Sequence, residues 1–123
     1  MVERDQVALF LSLLRECAVC QFRFEKRPEN IATLARLGMT IGDAKRRILA
    51  LTPADYVSGP VPRSESSSQE AWVFGVTVQR TLVYVKVSLR IEPARCLCVS
   101  FHDATYPLQL PYSGAQPRED EKP

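Results

Sequence analysis

The nine residues from Val83 to Ile91 read Val-Tyr-Val-Lys-Val-Ser-Leu-Arg-Ile, an unbroken alternation of apolar and polar side chains. Successive side chains of a strand point to opposite sides, so this pattern demands a β-strand with one face in a core. The other face then carries Tyr84, Lys86, Ser88 and Arg90. A strand of this kind needs neighbours. The flanking segments Glu70 to Val78 and Arg95 to Phe101 are rich in valine and aromatics and alternate with the same period. Joined to the central segment, Leu82 to Ile91, by short turns at Gln79-Arg80 and Glu92-Pro93-Ala94, they make a three-stranded antiparallel meander.

Register follows from the turns. A two-residue turn at Gln79-Arg80 sets Val85 opposite Phe74, Val83 opposite Val76 and Val87 opposite Trp72, which keeps every large apolar partner on one face. Gly75 then faces Tyr84, where the missing side chain leaves room for the ring or for a ligand. In the second hairpin the short loop sets Arg90 beside Cys96, Ser88 beside Cys98, Lys86 beside Ser100 and Tyr84 beside His102. Tyrosine, lysine and the only histidine of the chain thus converge at one end of the polar face. Such residues are also ordinary on the solvent side of a sheet, so the pattern alone leaves a site and a plain surface equally open.

Upstream of the strands the period changes to that of helices. Val7, Phe10, Leu11 and Leu14 recur at three and four residues between Arg4 and Cys17. Cys20 to Arg27 reads as a short strand or a linker. Pro28 and Glu29 open a second helix that Gly38 closes, and Thr40 with Asp43 caps a third with Ile41, Ala44, Ile48, Leu49 and Leu51 on its buried side. Lys45, Arg46 and Arg47 lie on that helix's other side and read as a solvated face. Thr52-Pro53 begins a single turn ending at Tyr56, and the Ser, Pro and Gly-rich stretch from Val57 to Gln69 reads as a mobile connection. Residues 1–112 therefore form a single α+β domain of N-terminal helices on a small C-terminal antiparallel sheet, with room for one extra edge strand. Residues 113–123 are expected to be disordered.

Composition narrows the function classes. A formal charge of +2 is compatible with phosphate-bearing ligands yet falls short of an arginine-rich nucleic-acid binder. The longest apolar run, Val7 to Leu14, is too short for a bilayer and lacks signal-peptide flanks, so a cytoplasmic chain with no membrane partner is expected. Cys17-x-x-Cys20 and Cys96-x-Cys98 could be read as a four-thiolate zinc site. The second pair lies within a strand, where neighbours two apart splay rather than chelate, so free thiols and no metal are expected. No glycine-rich phosphate loop or nucleophile elbow is present, which argues against nucleotide hydrolysis and serine hydrolase chemistry.

The polar row does suit one reaction. Cleaving RNA without a metal needs a group to accept the 2′-hydroxyl proton, a charge to hold the developing negative phosphorane, and an acid for the leaving 5′-oxygen. Histidine is the residue type suited to proton transfer near neutral pH, which makes His102 the candidate for it; Lys86 or Arg90 supplies charge, and Tyr84 can donate to phosphate or stack on a base. Arg80, in the neighbouring turn, is a further candidate for RNA binding.

The order Leu51-Thr-Pro-Ala-Asp55-Tyr56, Gly59-Pro60, Trp72-Val-Phe-Gly75, Val83-Tyr84-Val-Lys86 and Val99-Ser100-Phe101-His102 resembles the MqsR family of type II toxin–antitoxin toxins. The resemblance covers roughly two thirds of the chain and rests on order and spacing over several elements. It implies a RelE-like fold and metal-independent, cofactor-free cleavage of messenger RNA, held in check by a cognate antitoxin. No direct DNA binding by the toxin alone is expected. Tyr84 and Lys86 stand where family members carry a tyrosine and a lysine, and some carry a basic residue at the place of His102. The pattern departs at Ser58, in place of a lysine, and at Val73, in place of a glutamine. A catalytically inactive RNA-binding or protein-interaction module on the same fold is the competing expectation. The apolar residues Leu108, Leu110 and Tyr112 could dock on the body or on a protein partner.

Overall fold

The computed structural model describes residues 2–113, so the expected disorder of the C-terminal tail falls almost wholly outside the described residues. Helix α1 (Arg4–Cys20) starts where Glu3 and Gln6 cap one another, and it buries Val7, Phe10, Leu11, Leu14, Cys17 and Ala18. Strand β1 (Phe22–Phe24) follows, then α2 (Pro28–Leu37), α3 (Ile41–Leu49) and a single 3-10 turn at Pro53–Asp55. Thr40 and Asp43 form the capping box of α3, as the sequence predicts. The remaining strands are β2 (Tyr56–Pro62), β3 (Glu70–Val78), β4 (Thr81–Ile91) and β5 (Ala94–Asp103). The architecture is α+β.

The sheet has five strands in the order β1-β5-β4-β3-β2, all antiparallel except β1, which runs parallel to β5. The expected meander is its centre, and two strands are added. Of these, β1 lies in the segment that read as strand or linker, whereas β2 corrects the reading of Val57 to Gln69 as a connection. Two register shifts interrupt β2, between Tyr56 and Ser58 and between Ser58 and Val61, so its side chains never alternate long enough to be read. Pro60 and Pro62 lack ladder donors and suit an edge. Gly59 has φ +131°, and a Cβ there would lie 2.9 Å from the Trp72 Cα, so the close approach of β2 to β3 admits only glycine.

The first hairpin has the predicted register throughout, with Val85 facing Phe74, Val83 facing Val76, Val87 facing Trp72 and Gly75 facing Tyr84. The second keeps it only at one end. Tyr84 pairs with His102 and Lys86 with Ser100, but Val87 pairs with Cys98, which leaves Val99 as an extra residue. Beyond that bulge the parity of β5 reverses. Ser88 faces Leu97 and Arg90 faces Arg95, so neither stands beside the cysteine expected there. Cys96 and Cys98 turn instead into the core, opposite Leu89 and Val87.

The core lies on the odd-numbered side of β4. Val83, Val85 and Val87 are fully buried there with Phe74, Phe101, Leu11, Leu14 and Ile48. Burial fades along the strand: Leu89 is half-buried and Ile91 is 63% exposed. The Phe10 ring stacks on Trp72 at 4.3 Å, tying α1 to β3.

Helix α2 finishes the sheet in another way. After Phe24 the short strand β1 ends, and the Asn30 side chain takes over its role. Its amide donates to the carbonyls of Glu25 (2.9 Å) and Val99 (3.1 Å), while its oxygen accepts from the Phe101 N–H (3.0 Å). Asn30 is wholly buried, and its carboxamide supplies the donor and acceptor that another strand residue would have offered β5. At the C-terminal end, residues 104–113 leave β5 and return across β3 on the Tyr84 face to the start of β2. Ala104 N–H bonds the Leu82 carbonyl, Leu108 rests against Gly75, and Tyr112 packs on Tyr56 and donates to the Val2 carbonyl. Leu108 and Tyr112 thus dock on the body of the protein.

Candidate functional site

The even-numbered side of β4 carries the predicted row, held in place by the pairings on either side. The Tyr84 and His102 rings, on paired residues of adjacent strands, are stacked with centroids 5.3 Å apart and planes 17° from parallel. His102 Nδ1 lies 3.0 Å from the Asp103 carbonyl oxygen. A carbonyl only accepts, so this contact assigns the proton of the neutral ring to Nδ1 and leaves the Nε2 lone pair available as a base. Burial, and secondarily Tyr106, pushes the Tyr84 phenol above its ordinary range, so it remains a hydrogen-bond donor at neutral pH.

Lys86 lies one pair further along the same face. Its neighbours are Ser100 on β5 and Val73 on β3, and both are buried. Partial burial, and secondarily the charge of Arg27, pulls the Lys86 ammonium below its ordinary range. Arg27 is a residue the sequence reading did not single out. It is the N-cap of α2, the residue before Pro28, and Asn30 of that helix ties its first turn to β5.

On the far side of His102 a groove of about 320 Å³ runs between α2 and the end of β5. Glu29, Thr33, Arg36, His102 and Asp103 line it, and Arg36 pairs with Asp103 at its wall. The histidine therefore stands between a tyrosine on one side and a charged groove on the other. The helix face bearing Glu29, Thr33 and Arg36 has the spacing of one stripe, a signal visible in the sequence only to a reader who already knows that α2 borders β5.

The remaining candidates separate. Arg90 lies on the same face as Lys86 but four residues further along β4, opposite Arg95. Arg80 sits in the β3–β4 turn with φ +67°, exposed, and belongs neither to the His102 groove nor to the Tyr84 stack. The neighbouring Gln79, with φ +50°, anchors that turn by donating to the Leu37 carbonyl at 2.8 Å. The space left by Gly75 beside Tyr84 is filled: a Cβ there would lie 3.0 Å from Leu108 and 3.6 Å from Leu82.

The cysteines lie apart from this face. Cys17, Cys96 and Cys98 are buried and Cys20 is exposed, all as free thiols. Burial, and next the neighbouring Cys17, pushes the Cys96 thiol up to about 12, and burial pushes Cys98 up as well. These thiols are unreactive core residues. Among the described residues no cluster of metal-ligating side chains occurs, and no helix is long and apolar enough to cross a membrane.

Comparison of the chain with protein-family models, with curated proteins and with solved structures gives no match.

Proposed function

We propose that this protein is an endoribonuclease toxin of the MqsR kind, RelE-like in fold, that cuts messenger RNA without a metal and is restrained by a cognate antitoxin. The observation that carries the reading is the stack of Tyr84 on His102 beside Lys86, on the sheet face opposite the core. In this reading His102 Nε2 exchanges the proton of the 2′-hydroxyl or of the leaving 5′-oxygen. Lys86 neutralises the charge that builds on the phosphorane, and the Tyr84 hydroxyl donates to a non-bridging oxygen. Arg27 adds to the positive potential that draws the phosphate in.

The resemblance in the residue order from Leu51 to His102 supports the same assignment. The test is induced expression in a bacterial host with mapping of RNA ends. Growth arrest accompanied by new RNA ends, both relieved by Lys86→Ala, is the expected result. Normal growth and intact RNA, with the purified chain still binding RNA, would instead establish the inactive RNA-binding module.

A further inference from the structure

We infer that Arg23, Arg90 and Arg95, with Arg63 beside them, form a second anion site on the Tyr84 face, one that holds the phosphate backbone of single-stranded RNA beyond the scissile bond. The inference rests on the RNA reading of that face and adds where the flanking part of the substrate runs.

Arg90 and Arg95 stand directly opposite one another in the β4–β5 ladder. Like charges in opposed positions repel, and sheets ordinarily avoid them. Arg23 joins from β1, where its pairing with Leu97 sets it on the same side. Arg63 follows β2 at the same end of the sheet, where Pro62 pairs with Glu70, the Arg63 N–H donates to the Gln69 carbonyl, and Trp72, two residues beyond Glu70, pairs with Val87. Burial, and then Arg90, Arg23 and Arg63 in turn, lower the Arg95 pKa, while Glu25 opposes them. Among the described residues the ion pairs are Arg36–Asp103 and Arg46–Asp43, so none neutralises this cluster. The bonds its members make are to neutral oxygens: Arg63 donates to the Gln69 side chain, and Arg90 Nε donates to the Pro93 carbonyl at 3.4 Å. Four guanidinium groups are thus gathered with Glu25 as the one opposing carboxylate and with no ion pair among the described residues to neutralise them.

The shape of the cluster selects its ligand. The cations come from the adjacent strands β1, β5 and β4, about 4.8 Å apart, and, beyond β3, from the segment after β2, a row across the sheet rather than a cup around one phosphate. The row lies four residues along β4 from Lys86, roughly 13 Å at the rise of a strand. A ligand touching both places must be an extended polyanion. With Lys86, Tyr84 and His102 at one end, single-stranded RNA is the polyanion that fits, its backbone tracked by arginines without reading of bases. The parity reversal at Val99 is what makes the row possible, because it turns Arg95 rather than Cys96 to this side.

The test uses a uniformly 2′-O-methylated single-stranded RNA, which lacks the nucleophile and so reports binding without cleavage. Affinity is measured over a series of salt concentrations for the parent chain, for Arg95→Ala, for Arg90→Ala/Arg95→Ala, and for Arg23→Ala. The last variant changes an exposed position off the β4–β5 ladder. Each arginine removed is expected to weaken binding about tenfold at low salt and to reduce the slope of log affinity against log salt by about one. Arg95→Lys should retain the slope. If the parent binds this RNA and all three alanine variants bind it with the same affinity and slope, the second site is refuted while the catalytic reading stands. If the parent does not bind it, both fall. Poly-glutamate serves as the other arm: loss of its binding in the variants with RNA binding unchanged would make the row a protein-docking surface and overturn the inference.

Discussion

The two faces of β4 are built from one strand and answer to different demands. On the odd side Val83, Val85 and Val87 have no exposure and sit among Phe74, Phe101 and the stripe of α1. On the even side Tyr84, Lys86 and Arg90 are half-buried, with pKa directions for Tyr84 and Lys86 set by their surroundings. The first face is fixed by volume, so its residues are interchangeable with others that fill the same space. Under the proposed function the second is fixed by chemistry, and there a substitution of equal size is the damaging one. In that reading a strand of alternating type separates stability from activity at a distance of one residue.

Four substitutions or conditions can break or sharpen that contrast. The largest effect is expected on the even face: His102→Gln should lower RNA cleavage by about a hundredfold to ten-thousandfold while the melting temperature stays within a degree or two of the parent. Equal cleavage rates across the neutral pH range would transfer the proton-handling role to another residue. On the odd face Phe101→Ala should cost about 3–5 kcal/mol in stability through lost burial and a cavity, measured by urea unfolding. Asn30→Leu tests the seam between the two, because it preserves bulk yet leaves the Val99 carbonyl and the Phe101 N–H without their side-chain partner. A loss of about 2 kcal/mol or more is expected, and a neutral outcome would show that the carboxamide does not complete the ladder.

The smallest effect is in pH. Burial and Arg27 pull the Lys86 ammonium below the ordinary lysine range, so RNA binding should weaken on the alkaline side as Lys86 loses its charge. Lys86→Arg should move that limb to higher pH, since arginine keeps its proton. An unmoved limb would assign it to a different group.

What could be read in the sequence was governed by local period. β3 and β4 alternate cleanly, and their pairing follows residue by residue from a two-residue turn. In the second hairpin the expected three-residue loop is in fact Glu92-Pro93, with Ala94 paired to Ile91, and the extra residue at Val99 offsets that difference, so the expected pairings of Tyr84 with His102 and of Lys86 with Ser100 hold while those nearer the turn do not. Such a bulge leaves no compositional mark: Cys96-Leu-Cys98 alternates as well with its cysteines in the core as on the surface. β2 was hidden by its own bulges and prolines, which read as a loop and act as an edge. Arg27, Arg23 and Arg63 were beyond reach for another reason. Each belongs to a segment whose position depends on long-range pairing, and no local signal places β1 beside β5 or the end of β2 near Arg95.

The order of strands sets a schedule for the nascent chain. β1 is made early, yet its partner in the sheet is β5, and the Asn30 carboxamide of α2 waits for Val99 and Phe101 of that same strand. Until β5 has left the ribosome, β1 has no neighbour and the aromatic and aliphatic stripe of α1 lacks much of the surface it will cover. His102 is itself among the last residues of β5, and the strap that ties Tyr112 to Val2 comes later still. Pairing among β2, β3 and β4 does not need β5, but the joining of β1 to the sheet and the stack on Tyr84 wait for it. Until His102 has emerged and β5 has paired with β4, the nascent chain is incapable of the proposed cleavage.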